Sequence, residues 1–361
     1  MYIYESQTWP NFVWDKDKIN ALLNEVCKAA GFLSGRLSSF GFDKQQLAVV
    51  ETLTRDVVDS SEIEGVVLNS EQVRSSVARR LGVQITKETE PSHYIEGVVE
   101  MMLDATVNFS KPLSDERLFG WHAALFPTGH SGYQPIDVAQ YRKVGMSVIS
   151  GMFSREKVHY RAPEAELVPQ MMKNFIEWFN SKDTPNDYLK SAIAHLWFVC
   201  IHPFDDGNGR IARAISDMAL SQADNSQMRY FSMSRQINLE KKKYYAALEH
   251  IQNSDGDITD WLEWYLGCMK RSIESSDKAV SLVLAKAIFW QRHADVPLND
   301  RQVKVLNFYL DGYDGKLTAK NWSKEANVSL DTAARDIQDL VEKGLIEAIE
   351  GKVRNVEYVI K

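Results

Sequence analysis

Apolar residues recur at helical spacing along most of this chain. Ile19, Leu22, Leu23, Val26 and Ala30 form one stripe, and with Asp15 as N-cap they predict a helix over 16–37. Leu47, Val50, Leu53, Val57 and Val58 predict a second over 43–63, with Gly65 placed to end it. Further periodic segments lie at 70–81, 93–109 and 115–125, the last capped by Ser114 after Pro112 stops its predecessor. Val168, Met172, Phe175, Ile176 and Phe179 mark a helix over 164–180. The apolar run 192–201 reads as a buried helix. Ile211, Ile215, Met218 and Ala219 start another near Gly209. Helices over 240–253 and 257–271 follow, then a connecting helix over 276–291.

The period breaks in few places. Residues 1–14 hold Tyr2, Tyr4, Trp9, Phe12 and Trp14 around Pro10, and read as an extended arm packed on the body. Segments 141–149 and 158–160 alternate as strands and predict a β-hairpin. Residues 228–233 read as loop or extended chain. From Asp300 the pattern changes: helices at 302–310, 318–326 and 330–344, then strands at 345–349 and 353–360 around Gly351-Lys352. That order resembles a winged helix, with Asp331, Arg335, Asp336 and Asp339 exposed on the third helix. The fold class is therefore mainly α: an all-helical core with one hairpin, then a small winged helix-turn-helix domain. The expected divisions are 1–110, 111–275, a connecting helix over 276–298, and 299–361.

Charge narrows the function. The net charge of −7 gives no general attraction to nucleic acid or anionic membrane. Over 300–361 ten Lys and Arg stand against eleven Asp and Glu, too even for strong counterion release on DNA. No apolar run approaches a bilayer span, and the N-terminus lacks the blocks of a signal peptide. Cys27, Cys200 and Cys268 show no metal spacing and read as small core residues. The expectation is a cytoplasmic protein without membrane association.

The chemistry gathers in His202-Pro203-Phe204-Asp205-Asp206-Gly207-Asn208-Gly209-Arg210-Ile211-Ala212-Arg213. A loop with two glycines leads into a helix, so backbone N–H groups converge at a positive helix end. Arg210 and Arg213 share a face of that helix. Two guanidinium forks beside an N–H nest suit a polyphosphate. Asp206 beside such an anion calls for a cation between them, and Mg²⁺ takes one or two carboxylates plus phosphate oxygens. His202 at the lip can accept a proton near neutral pH.

This stretch resembles the Fic family motif H-P-F-x-[D/E]-G-N-G-R-x-x-R at every specified position. The resemblance implies an adenylyltransferase. It would move AMP from ATP, with Mg²⁺ or Mn²⁺, to a Tyr, Thr or Ser hydroxyl of a target protein or of itself. In that reading His202 is the base, Asp206 holds the metal, and Asp206, Gly207, Asn208, Gly209, Arg210, Ile211, Ala212 and Arg213 line the nucleotide. The family also has an inhibitory helix with [S/T]-x-x-x-E-[G/N], which Ser60, Glu64 and Gly65 fit. There the Glu64 carboxylate would pair with Arg213 and misdirect the α-phosphate. The hairpin corresponds to the family's flap, with Val158, His159 and Tyr160 as its edge over the site. Tyr244, Tyr245 and either Gln252 or Asn253 fall where the family contacts the nucleobase. A homodimer is implied by analogy. Two other outcomes compete: a Fic enzyme that mainly removes AMP, and a nucleotide-sensing regulator whose winged helix binds DNA.

Overall fold

The computed structural model describes residues 1–38, 40–85, 87–150, 157–182, 187–349 and 356–361. Two compact units divide the chain, Met1–Ser275 and Ser276–Lys361. In the first, a short 3-10 turn is followed by α1 (Lys16–Ser38), α2 (Phe42–Ile63), α3 (Ser70–Leu81), α4 (His93–Val107) and α5 (Asp115–Leu125). Two small antiparallel hairpins come next, β1 (His130–Ser131) with β2 (Gln134–Pro135) and β3 (Ser147–Ser150) with β4 (Lys157–Arg161). Then come α6 (Val168–Asn180), α7 (Asp187–Ile201), α8 (Asn208–Ala223), α9 (Met233–Leu239), α10 (Lys241–Gln252) and α11 (Thr259–Arg292), the last running through the unit boundary.

The core is built on α7 and α8. Ala192, Ala194, Leu196, Phe198, Cys200 and Ile201 of α7 are buried, as are Ile211, Ala212, Ala214, Ile215, Met218 and Ala219 of α8. The small alanines let the two helices approach closely, which fixes the loop between them. Gly97 does the same for α4 and α5: a Cβ there would lie 2.1 Å from the Ala124 carbonyl oxygen. Asp15 caps α1 by accepting from the Lys18 amide at 3.0 Å, as the sequence predicts. The N-terminal arm is docked, with Ile3 fully buried, Tyr2 and Tyr4 edge-on to Tyr160, and Trp9 and Phe12 edge-on to Trp197.

Several expectations need correction. Met233 opens a helix rather than closing a loop, because Ser232 caps it by accepting from the Arg235 amide at 3.0 Å. The helices expected over 257–271 and 276–291 are one, since 272–275 contain no breaker and Ser272 is buried, bonding the Ser232 carbonyl. A second hairpin, β1–β2, occupies what reads in sequence as a plain turn. Cys200 and Cys268 are buried, but Cys27 is only half-buried. The expected hairpin turn at 151–156 lies outside the described residues.

The second unit holds α12 (Asp300–Leu310), α13 (Ala319–Ala326), α14 (Leu330–Glu342) and an antiparallel pair, β5 (Ile346–Ala348) with β6 (Tyr358–Ile360). Its own core gathers Phe289, Val305, Leu306, Leu317, Trp322, Ile337, Leu340 and Leu345. Gly351-Lys352 lies outside the described residues. Asp336 is not exposed as expected: it is 6% exposed and accepts from Arg301 at 3.1 Å and from the Trp322 indole at 3.4 Å. Helical spacing puts it on the same face as Ala333, Ile337 and Leu340, which are core.

Candidate active site

The loop between α7 and α8 is locked from inside. The Asn208 side chain accepts from the Phe204 amide at 2.9 Å and donates to the Phe204 carbonyl at 2.7 Å. Its amide group is therefore spent on the loop, and what it offers an anion is its backbone N–H. Gly207 sits at φ +82°, and an added Cβ would meet the Phe126 ring at 2.8 Å, so glycine is required twice over. The Ile211 amide bonds the Gly207 carbonyl, which leaves the N–H groups of Asn208, Gly209 and Arg210 without intrahelical acceptors. Ile211 and Ala212, expected among the nucleotide contacts, are fully buried packing residues.

His202 follows the last turn of α7 with φ +52°, a left-handed conformation that a β-carbon makes costly. Its Nδ1 lies 3.3 Å from the Val199 carbonyl oxygen, so Nδ1 carries the hydrogen and Nε2 is left as an acceptor. Burial lowers its pKa below 6.5, and the neighbouring Arg142 charge pushes the same way. Arg142 holds this turn. It donates to the carbonyls of His202 at 2.8 Å, Val144 at 2.9 Å and Pro163 at 2.5 Å, and its own amide bonds the Pro203 carbonyl. A buried cation among carbonyls at a helix C-terminus is favourable there.

Behind the loop, His122 is buried between the Asp206 carbonyl and the Ala139 amide, and burial pushes its pKa down to about 4. It is a structural histidine, stacked 4.4 Å from Phe204. Asp205 is turned to the protein, accepting from the Asp137 amide at 2.9 Å. Asp206 is turned outward, with its side chain 44% exposed. It accepts from its neighbour's amide, Gly207 N–H, at 2.5 Å, and the Ser131 hydroxyl donates to its other oxygen. Among the described residues no group of three or more His, Cys, Asp or Glu could hold a metal. A lone outward carboxylate fits Mg²⁺ or Mn²⁺ that draws its remaining ligands from phosphate and water.

The two arginines are held differently. Arg213 is buried; its Nε donates to Ser60 Oγ at 2.8 Å, and its Nη2 to the Ser60 carbonyl at 2.9 Å and to Glu64 Oε1 at 2.7 Å. Burial alone would lower its pKa, but the Glu64 carboxylate wins and raises it. Its Nη1 has no partner among the described residues. Glu64 is aimed by the end of α2: Gly65 at φ +82° donates to the Glu62 carbonyl, and Val66 to that of Ser61. These are the paired bonds of a Schellman ending. The carboxylate presses on the N-terminal turn of α8, where a Cβ on Gly209 would lie 2.2 Å from Glu64 Oε1. It thus occupies an anion position at a helix N-terminus. Arg210 bonds Tyr94 and lies over the Phe126 ring.

The remaining candidates divide. Tyr160, expected at the flap edge over the site, is buried, and its hydroxyl donates to the Cys200 carbonyl at 2.6 Å. Val158 is exposed, and His159 Nδ1 lies 2.9 Å from Glu249. Tyr244 is core, its hydroxyl bonded to buried His195 at 2.9 Å, whereas Tyr245 is 43% exposed and donates to the Ile63 carbonyl at 3.2 Å. Gln252 is buried; Asn253 is exposed, 3.4 Å from the His159 carbonyl. Tyr94, Phe126, Ser131 and Arg142 carry no motif of their own. Only the Tyr-Arg pair before the hairpin, Tyr141-Arg142, could have drawn attention.

Residues 112–220 match the model of the Fic/DOC family, and residues 2–83 match a domain of unknown function. A protein adenylyltransferase Fic of Nematostella vectensis is 23% identical over 63% of this chain and 49% of its own length. A uridine 5'-monophosphate transferase of Xanthomonas campestris is 31% identical, over 31% of this chain and 21% of its own. The chain thus spans about half the length, or less, of these curated relatives. In three dimensions it resembles a Fic family protein from Desulfovibrio desulfuricans, with TM-score 0.56 and 19% identity over 96% of this chain and 97% of that one. It also resembles Fic-1 of C. elegans, with TM-score 0.51 and 20% identity over 73% and 74% of the two chains. The loop, the outward Asp206 and α8 as far as Leu220 lie inside the matched segment, and this chain carries a Fic/DOC-family domain over residues 112–220.

Proposed function

We propose that this protein is a nucleotidyltransferase that moves AMP from ATP to a hydroxyl of a protein, and that Glu64 restrains it. The observation that carries the reading is His202 Nε2, left as an acceptor beside an α8 N-terminus flanked by Arg210 and Arg213. The target hydroxyl gives its proton to Nε2 while its oxygen attacks the α-phosphorus. The bond from the α-phosphorus to the bridging oxygen breaks, and pyrophosphate leaves toward the arginines. The N–H groups of Asn208, Gly209 and Arg210 stabilise charge on the phosphoryl oxygens. Asp206 would hold a divalent ion, which would supply charge neutralisation to the phosphates. Of the aromatic pair, Tyr245 is the one exposed for stacking on a base. Restraint follows from competition, since Arg213 cannot give the same donors to Glu64 and to a phosphate.

The test is labelling with α-³²P-ATP, and in parallel α-³²P-UTP, by wild type, Glu64→Gly, and Glu64→Gly/His202→Ala. Strong labelling by Glu64→Gly that vanishes in the double variant is expected, with ATP the better donor. Equal labelling by wild type and Glu64→Gly would remove the restraint. Silence with every donor would remove the transferase.

In the second unit, the order of three helices and a strand pair supports the winged-helix reading. Inward-facing Asp336 and the even charge balance weigh for protein contacts over duplex DNA.

A further inference from the structure

Glu64 takes Arg213, but it leaves Arg210 alone. Arg210 is held instead by residues of α4 and the end of α5. Its Nη1 donates to Tyr94 Oη at 2.7 Å, and its guanidinium lies 5.0 Å from the centre of the Phe126 ring. Its Nη2 stands 3.8 Å from Asp206 Oδ1, and its side chain is 4% exposed. Its Nε is buried with no partner among the described residues. An arginine so enclosed, with a donor unspent, is preorganised for an anion.

Tyr94 is placed as firmly as Arg210. It lies in the first turn of α4, which Ser92 caps by accepting from the Ile95 amide at 3.3 Å. One turn on, Gly97 brings α4 against the α5 backbone at Ala124. Phe126 directly follows α5. The spacing of Tyr94, Phe126 and Arg210 is therefore set by helix packing. A phenol that accepts from a guanidinium keeps its own hydrogen to give. The residue is half-buried at the edge of the site and lies outside the segment that matches the Fic/DOC model.

We propose that Tyr94 is a polyphosphate-binding residue. Its hydroxyl accepts from Arg210 and donates to the phosphate oxygen that Arg210 clamps, beyond the α-phosphate. The proposal rests on the nucleotide reading of the site. It predicts discrimination by phosphate number: Tyr94 contributes to binding ATP and contributes nothing to binding AMP. A hydrogen bond to a charged oxygen is worth about a tenfold change in affinity.

The test measures ATP and AMP affinities by calorimetry in Glu64→Gly and in Glu64→Gly/Tyr94→Phe, with a thermal melt of each. About tenfold weaker ATP binding with unchanged AMP binding is expected. Unchanged ATP affinity, or an equal loss for ATP and AMP, would overturn the assignment, because a packing role cannot sense phosphate number. If Tyr94→Phe melts early, Tyr94→His keeps a donor at that place and must retain part of the preference for ATP; loss of the whole preference would count against the proposal. A Glu64→Gly parent that binds no nucleotide would bring down the nucleotide reading itself, whereas a parent that binds ATP as well as its Phe variant brings down only Tyr94.

Discussion

His202 shows how one backbone angle serves chemistry. At φ +52° it departs from the helix just where the chain must turn into the loop, at a cost on the order of 1–3 kcal/mol for a non-glycine residue. Arg142 stabilises that turn through the His202 carbonyl. The same burial and the same arginine lower the histidine pKa below 6.5. The base proposed at His202 works in its neutral form, so the midpoint of the fall in activity on acidification belongs below pH 6.5. The labelling rate of Glu64→Gly against pH measures this, and a midpoint above 7 would contradict it. Residue roles of this kind were only partly legible. The motif exposed His202, Asp206, Arg210 and Arg213 because a short loop fixes their neighbourhood. The burial of Tyr160 was not legible, because burial depends on which face a neighbouring segment covers: Tyr2 and Tyr4 from the chain start cover it.

At the scale of elements, α2 is held along its length. Asp56, Ser60 and Glu64 follow at four-residue spacing and line one face toward α8. Asp56 accepts from Arg229 at 2.6 Å and from Ser232 at 2.5 Å, and Asp217 of α8 accepts from the same Arg229 at 2.5 Å. Asp59 accepts from Asn238 at 2.7 Å. All three members of the Asp56–Arg229–Asp217 cluster are buried. Removing the shared cation would strand two carboxylates, so Arg229→Met should cost about 3–5 kcal/mol in urea unfolding. A loss under about 1 kcal/mol would show that the cluster is not closed to water. Burial, with Asp217 beside it, raises the Asp56 pKa above 3.8 against the opposing pull of Arg229. A raised carboxyl pKa means the folded state keeps its proton longer. This contribution is therefore complete below pH 3.8 and is lost as pH rises from there. Wild type should lose stability relative to Asp56→Asn as pH rises above about 4, and parallel pH curves would refute that.

At the scale of the molecule, Met1–Ser275 and Ser276–Lys361 each have an interior of their own. The site contacts described above all lie within Met1–Ser275. A chain ending at Arg292 keeps α11 whole. It should fold cooperatively and, with Glu64→Gly, label at a rate within about threefold of the full chain. Loss of the melting transition, or of labelling in a folded protein, would show that the second unit completes the first. Among the described residues no helix is long and apolar enough to cross a membrane.

The sequence by itself determined whatever depends on near neighbours. Helical periods and caps located most helices, Asp15 and Ser114 among them, because those signals act within a turn or two of chain. The twelve-residue motif located the loop and the start of α8 for the same reason. Tertiary structure decided what depends on contacts far along the chain. It turned Asp336 inward onto Trp322 and Arg301, and it covered Tyr160. It also set Tyr94 against Arg210 across 116 residues, and Glu64 against Arg213 across 149. The Ser60–Gly65 pattern named a partner for Arg213 only through resemblance. Burial and long-range hydrogen bonds are properties of the packed chain, and no local pattern encodes which surface will cover which.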